Sequence, residues 1–200
     1  MKTHPVFARF YRLLERAVSG VERPYRQETA GGARGRVLEV GAGTGANLEH
    51  YPPGTWIVAL EPDPHMIREL RKRAAGRPVR VVSGSAQSLP FRDGAFDTVV
   101  ASLVLCSVPD PDGAVRELRR VLAPGGTVRF YEHVRSEDLG LARRQDRWER
   151  TWGWFSGGCH PNRDTLATLR AGGFDVTSRG WNMPRGWIAA PHVVGEARPQ

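Results

Sequence analysis

The sequence predicts an α/β fold, a doubly wound, seven-stranded and mostly parallel sheet with helices on both faces. Three observations carry this expectation. Short β-branched runs alternate with helix-compatible segments from residue 36 to residue 133, the pattern that builds a parallel sheet. The first run feeds a glycine-rich turn, Val37-Leu-Glu-Val-Gly41-Ala-Gly43-Thr-Gly45-Ala-Asn-Leu48, and open sheets of this kind hold ligands at the carboxyl ends of their strands. The chain has 200 residues, 40% of them hydrophobic, enough for one full core.

In chain order, Val6, Phe10, Leu13, Leu14, Ala17 and Val18 recur at steps of three and four, which predicts an amphipathic helix. Gly31-Gly32-Ala33-Arg34-Gly35 breaks the chain, and Arg36 to Val40 is the first strand. A helix-compatible segment follows the glycine turn, so a bound ligand would meet the free N–H groups of a helix N-terminus. Pro52-Pro53-Gly54 is a turn, Thr55 to Leu60 a strand, Pro64 to Ala75 a helix and Val79 to Val82 a strand. Asp93-Gly94 precedes a fourth strand, Phe96 to Ala101. Asp110-Pro111-Asp112 opens a helix bearing Ala114, Val115, Leu118, Val121 and Leu122; Pro124-Gly125-Gly126 stops it, and Thr127 to His133 is the fifth strand.

Residues 136–155 read as a helix with Leu141, Trp148, Trp152 and Phe155 on one stripe, and 163–171 as another. Phe174 to Trp181 and Trp187 to Ala197 complete the sheet. The division expected within a single domain is an N-terminal helical lid (1–34), a cofactor-binding core (35–134), a lid insertion (135–162) and a C-terminal helix with strands (163–200).

A net charge of +8 invites a nucleic-acid reading, which requires basic residues clustered on one face. The arginines are instead scattered, with acids beside many of them, as in Arg68/Glu69, Arg116/Glu117, Asp146/Arg147 and Glu149/Arg150, so no nucleic-acid partner is expected. Two cysteines, Cys106 and Cys159, do not make a disulfide framework and suit a reducing cytoplasm. No apolar run of spanning length and no signal-peptide core is present. Nothing in the sequence sets an oligomeric state.

The glycines fall as G-x-G-x-G at Gly41, Gly43 and Gly45, with Glu39 ahead of them. The spacing differs from the G-x-G-x-x-G of nicotinamide enzymes, which puts a glycine where this chain has Ala46. It resembles motif I of the class I S-adenosylmethionine-dependent methyltransferases, which implies a Rossmann-like fold and S-adenosyl-L-methionine as cofactor. Glu61 ends the second strand, where an acid accepts hydrogen bonds from the ribose hydroxyls; Pro62 and Met66 follow it. Glu39 lies inside the first strand, where it can hold the amides of the turn or receive the cofactor's ammonium indirectly. Ser85-Ala86-Gln87-Ser88-Leu89-Pro90-Phe91 resembles the adenine segment of ubiquinone-biosynthesis-type methyltransferases, with Ser85 where an aspartate is usual. Glu39, Gly41, Ala42, Gly43, Glu61, Pro62, Met66, Ser85, Ala86, Gln87, Ser102 and Leu103 are therefore the candidate cofactor residues. Ala101 to Pro109 is apolar, which favours loss of the sulfonium charge on methyl transfer.

His133, at the carboxyl end of the fifth strand beside Glu132, is the candidate catalytic residue, able to accept a proton or orient a nucleophile. Tyr11, Cys106, Trp148, Trp152, His160, Arg163 and His192 are candidates for contact with a small-molecule acceptor. No carboxylate cluster of the magnesium-binding kind follows the fourth strand, so no metal is expected.

Gly43-Thr-Gly-Ala-Asn47 with Tyr51-Pro-Pro-Gly54, Leu103-Val-Leu-Cys-Ser-Val108, Arg119-Arg-Val-Leu-Ala-Pro-Gly-Gly126 and Glu132-His-Val134 closely resemble the animal methyltransferase-like alkyl thiol methyltransferases. The resemblance continues through Gly158-Cys-His, Arg163-Asp-Thr165 and Pro191-His192-Val-Val-Gly195, covering roughly residues 35 to 197. It implies S-methylation of a small thiol. The animal enzymes begin with a hydrophobic membrane-associating segment that residues 1–34 do not match, so stable membrane insertion is not expected. C-methylation of quinone precursors or O-methylation of natural products is the alternative on the same fold.

Overall fold

A computed structural model describes residues 5–182 and 191–200, apart from the side chains of 5–14, 16, 17, 155, 181 and 182. A 27-residue helix, α1 (Pro5–Gly31), leads into β1 (Val37–Val40), β2 (Ile57–Glu61), α2 (Pro64–Ala74), β3 (Val79–Ser83), β4 (Phe96–Ser102) and α3 (Pro111–Val121). Next come β5 (Leu122–His133), α4 (Leu139–Phe155), α5 (Thr165–Ala171), β6 (Phe174–Asn182) and β7 (Pro191–Pro199). Seven strands form one sheet in the order β3-β2-β1-β4-β5-β7-β6. Pairings among β1 to β5 are parallel, and β7 enters antiparallel between β5 and β6.

Alternation along the strands fills two cores. Leu38, Val40, Val58, Leu60, Val99 and Ala101 point to the face covered by Ala114, Val115 and Leu118 of α3 and Leu169 of α5. Val37, Ile57, Ala59 and Val100 point to the other, against Ala30 of α1 and Leu70 and Ala74 of α2. The period of two places each neighbour on the opposite side of the sheet. Helix starts are set by aspartates: Asp63, Asp110, Asp138 and Asp164 each accept a backbone N–H from the first turn they cap. Proline follows two of them at the first helical position, where no N–H is needed.

Three local expectations are corrected. No helix follows the glycine turn. Gly41, Gly43 and Gly45 take φ of 59°, 57° and 86°, incompatible with helical backbone. The chain advances instead by three-residue turns, Gly45 N to Ala42 O, Leu48 N to Gly45 O and His50 N to Asn47 O. α1 runs well past Val18, because Ala30 and Thr29 are buried against the sheet. β5 starts at Leu122, directly after α3: Leu122 pairs with Phe96, and a register shift between Phe96 and Thr98 absorbs Pro124-Gly125-Gly126. The final strand is described from Pro191; the expected start at Trp187 lies outside the described residues. No helix among the described residues is long and apolar enough to cross a membrane.

Candidate active site

A cavity opens at the carboxyl ends of β1, β2 and β4. Gly41, Gly43, Glu61, Pro62, Met66, Ser85, Ala86, Gln87 and Leu103 line it, together with Asp63, Val104, Ser107, Val108, Pro109, Ser156 and Gly157. Asp63 was legible only as part of Glu61-Pro62-Asp63-Pro64, and Ser156 and Gly157 carry no local sign of a ligand. Bare backbone forms one wall. A Cβ added at Gly41 would stand 2.6 Å from Val104 Cγ2, at a φ that side chains avoid. Leu103 is the non-glycine described residue with positive φ, at 59°, and its N–H donates to Tyr131 O at 2.7 Å.

Glu61 is buried at the end of β2. Its two oxygens accept from Gly43 N and Asp63 N, each at 2.9 Å, so the acid ties the glycine turn to the start of α2. A carboxylate has about four lone-pair sites, leaving capacity for further donors. Burial raises its pKa, against the pull of the two amides.

Glu39, Ala42 and Ser102 are not among the residues lining the cavity. Ala42 N donates to Leu60 O at 3.0 Å. The Ser102 hydroxyl and Glu39 Oε1 both accept from Asn47 Nδ2, at 3.0 and 2.9 Å, and Glu39 Oε2 accepts from Tyr51 OH at 3.0 Å. Glu39 thus braces the turn from behind. Burial pushes its pKa up to about 7, with the Tyr51 and Asn47 hydrogen bonds opposing. A carboxyl whose folded pKa lies above its unfolded value stabilises fully below the unfolded value, and that contribution is lost as pH rises through the folded one. Unfolding free energy should therefore fall from pH 4.5 to pH 7 by about 2–3 kcal/mol more in the wild type than in Glu39→Gln. Urea titrations across that range test this, and parallel pH profiles would refute it.

α1 lies across the same end of the sheet. Glu15 accepts from Thr44 Oγ1 at 2.5 Å and from Arg73 NH1 at 2.6 Å. Arg26 donates to Asn47 Oδ1 at 3.0 Å and to Glu22. Tyr25 stacks on Tyr131, ring centroids 5.8 Å apart. α1 is thereby fastened to the glycine turn by two polar bridges.

The turn after β4 is held by a residue noted in the sequence only as the neighbour of His133. Glu132 is fully buried; Oε1 accepts from Val104 N and Leu105 N at 2.9 Å, and Oε2 from Cys106 N at 3.1 Å. Burial raises its pKa to about 7, with the three amides opposing. Arg163, a candidate acceptor contact, is committed to the same turn, donating to Leu105 O at 2.9 Å and Val108 O at 2.6 Å.

His133 sits at the end of β5 with Nδ1 3.5 Å from Cys106 Sγ and 3.3 Å from Cys159 Sγ; the two sulfurs are 3.7 Å apart. Burial lowers the His133 pKa, but the charge and hydrogen bond of Cys159 together with the charges of Glu132 and Glu22 outweigh it, and the net shift is upward. The Cys106 thiol is driven up by burial, while Cys159, hydrogen-bonded by Cys106 and facing His133, is driven down.

Of the remaining acceptor candidates, His192 is buried between His133 and Tyr131, with ring centroids at 4.3 and 5.2 Å. His160 Nδ1 pairs with Glu149 Oε1 at 2.5 Å and is not among the residues lining the cavity. Trp152 is partly buried, and its indole N–H lies toward the Cys159 sulfur, outside hydrogen-bonding geometry, where it favours the thiolate. Trp148 is 48% exposed and does not continue a buried stripe with Trp152. The Tyr11 and Phe155 side chains lie outside the described residues.

A profile described as a methyltransferase domain matches residues 38–130, from β1 into β5. Human thiol S-methyltransferase TMT1B is 38% identical, covering 83% of this chain and 72% of the relative. Human thiol S-methyltransferase TMT1A is 34% identical, covering 80% and 69%. The crystal structure of a Thermotoga maritima SAM-dependent methyltransferase, described as a possible histamine N-methyltransferase, superposes with a TM-score of 0.74 at 24% identity over 98% of this chain and 99% of that one; at that identity the likeness speaks for the fold. With glycine backbone and a buried acid at the ends of β1 and β2, the chain belongs to the S-adenosylmethionine-dependent methyltransferases of Rossmann-like class I fold, in the family of the thiol S-methyltransferases, with S-adenosyl-L-methionine as its cofactor.

Proposed function

We propose that the enzyme methylates the sulfur of a small, largely apolar thiol in the cytoplasm. The observation that carries this reading is the identity to thiol S-methyltransferases over four-fifths of the chain, well beyond the methyltransferase-domain core at residues 38–130.

The residues present fit the cofactor. Glycine backbone at Gly41 and Gly43 leaves room against the wall, and Glu61 retains acceptor capacity for vicinal ribose hydroxyls. Ser85 and Gln87 offer polar atoms for the adenine, and Leu103, Val104 and Val108 give an apolar lining near the methionine end. The cofactor supplies an electrophilic methyl on a sulfonium. α1 (within 1–34) and the 135–162 insertion cover the acceptor: Glu15 and Arg26 tie the first to the turn, and Ser156 and Gly157 bring the second to the cavity.

An ordinary thiol has a pKa near about 8.5, so a nucleophilic fraction exists near neutrality and positioning matters more than a strong base. His133 serves that positioning by orienting the sulfur nucleophile. The test is incubation with S-adenosyl-L-methionine and a mixed panel of thiols, phenols and quinols, with products read by mass spectrometry. Methyl thioethers are expected. Products methylated only at carbon or oxygen would overturn the reading in favour of quinone-precursor or natural-product chemistry, the direction in which Ser85–Phe91 leans.

A further inference from the structure

Cys106, His133 and Cys159 come from three separate elements: the turn after β4, the end of β5 and the loop after α4. Their ligand-type atoms all lie within 4.8 Å of one another. A single nitrogen, His133 Nδ1, faces both sulfurs, and the edges of the triangle measure 3.7, 3.5 and 3.3 Å. A tetrahedral zinc ion has metal–sulfur bonds of about 2.3 Å and metal–nitrogen bonds of about 2.0–2.1 Å, which set sulfur–sulfur edges near about 3.8 Å and sulfur–nitrogen edges near about 3.6 Å. The triangle has the size and the donor set of one face of such a site.

The surroundings fix the triangle in advance. Glu132 holds the amides of Val104 to Cys106, Arg163 holds two carbonyls of the same turn, and His160 N donates to Cys106 O at 2.7 Å, pinning one cysteine loop to the other. Gln145, fully buried, donates to Val134 O and Pro161 O and ties the end of β5 to the Cys159 loop. Gly157 and Gly158 have φ of 73° and 97° immediately before Cys159. Both cysteines are buried while His133 is partly exposed, so one side of the triangle remains approachable. Ser107 and Gly157, close to the two cysteines in the chain, line the cofactor cavity.

We propose that Cys106, His133 and Cys159 bind a thiophilic divalent cation of the zinc type, and that its open fourth position takes the sulfur of the acceptor thiol. The second part rests on the thiol reading above. Two sulfurs and one imidazole select zinc-like ions over magnesium or calcium, and three protein ligands with one open position are the arrangement of catalytic zinc. On binding, the acceptor thiol releases its proton to water. The electron pair of the bound sulfur then forms the new bond to the methyl carbon. The bond between methyl and sulfonium breaks with its pair remaining on the homocysteine sulfur. The thioether so formed is neutral and a weaker ligand than a thiolate, which frees the position. In this role His133 is a ligand that positions the nucleophile.

The test uses the full chain, reduced, stripped with a chelator and titrated anaerobically with cobalt(II) as the probe. One equivalent should produce thiolate-to-cobalt charge-transfer absorption in the near ultraviolet with tetrahedral bands in the visible, both abolished by zinc. Cys106→Ser and Cys159→Ser should each remove about half of the charge-transfer intensity per cobalt, and adding 1-propanethiol to the cobalt protein should raise it. Absence of saturable absorption, in protein whose two thiols are counted as reduced after denaturation and whose circular dichroism is native, would overturn the metal site. So would a spectrum that survives in the double serine variant. A spectrum unmoved by 1-propanethiol would overturn the open-position role. Failure of the thiol reading appears elsewhere, as absence of methyl thioethers in the product assay, and does not alter the cobalt spectrum.

Discussion

Glu132→Leu should lower the unfolding free energy by about 3–5 kcal/mol, the largest loss expected of a substitution in this site. The side chain satisfies three consecutive buried amides, those of Val104, Leu105 and Cys106. Each buried N–H left unpaired costs about 1–3 kcal/mol, and relief from burying a carboxyl offsets part of the sum. The same turn holds Leu103 at a φ of 59°, a conformation whose cost of about 1–3 kcal/mol must be met by surrounding contacts. Losing Glu132 removes those contacts next to the residue that lines the cavity, so cofactor affinity should fall with stability. Glu132→Gln should lie between: Oε1 can still serve Val104 and Leu105, but an amide NH2 then faces the Cys106 N–H. Urea unfolding of the three proteins decides the order, and a leucine variant with an unchanged midpoint would mean that the amides find other partners.

The behaviour of Glu132 shows where the sequence stops being informative. The glycine turn, Glu61 and the alternation of strands with helices are legible because each depends on local spacing: glycines where φ is positive, an acid at a strand end, short β-branched runs between helix-compatible segments. The parallel sheet follows from that alternation, whereas the order β3-β2-β1-β4-β5-β7-β6 depends on contacts distant in the chain and is not read from it. What Glu132 does depends on β5 lying beside β4, so its partners are 26 to 28 residues away. Cys106 and Cys159 meet across 53 residues, and no spacing rule links them. The missing helix after β1 was misread because the apolar content of residues 46–51 suits a helix, while the positive φ at Gly43 and Gly45 forbids its first turn.

Charge pairs show the same limit. Arg116 and Glu117 are adjacent in sequence, yet Glu117 pairs with Arg120 one turn on and Arg116 approaches Asp110, because adjacent residues on a helix do not face each other. Arg163, a candidate acceptor contact in the sequence, is occupied by carbonyls of the β4 turn.

Glu61→Ala should weaken binding of S-adenosyl-L-homocysteine about 10- to 100-fold, or about 1–3 kcal/mol, with a smaller effect on stability. The separation follows from the site. Folding already bears the cost of burying this carboxyl, visible as its raised pKa, so removing it returns part of what the lost hydrogen bonds to Gly43 and Asp63 contributed. The two amides it leaves behind border the cavity, where water can reach them. Binding has no such compensation: alanine offers no acceptor to the ribose hydroxyls, and the glycine turn loses its tie to the start of α2. The pH dependence makes the assignment sharper. Donors from the ribose favour the ionised carboxylate, so bound protein holds fewer protons on Glu61 than free protein does. Affinity should therefore rise with pH through the raised pKa of Glu61 in the free protein and fall as pH drops below it, and the alanine variant should lose that dependence. Calorimetry in buffers of different ionisation enthalpy would register the proton released on binding. An alanine variant that binds as tightly as wild type, or a wild type that releases no proton near the Glu61 pKa, would remove Glu61 from the ribose site and leave it as the brace between the glycine turn and α2.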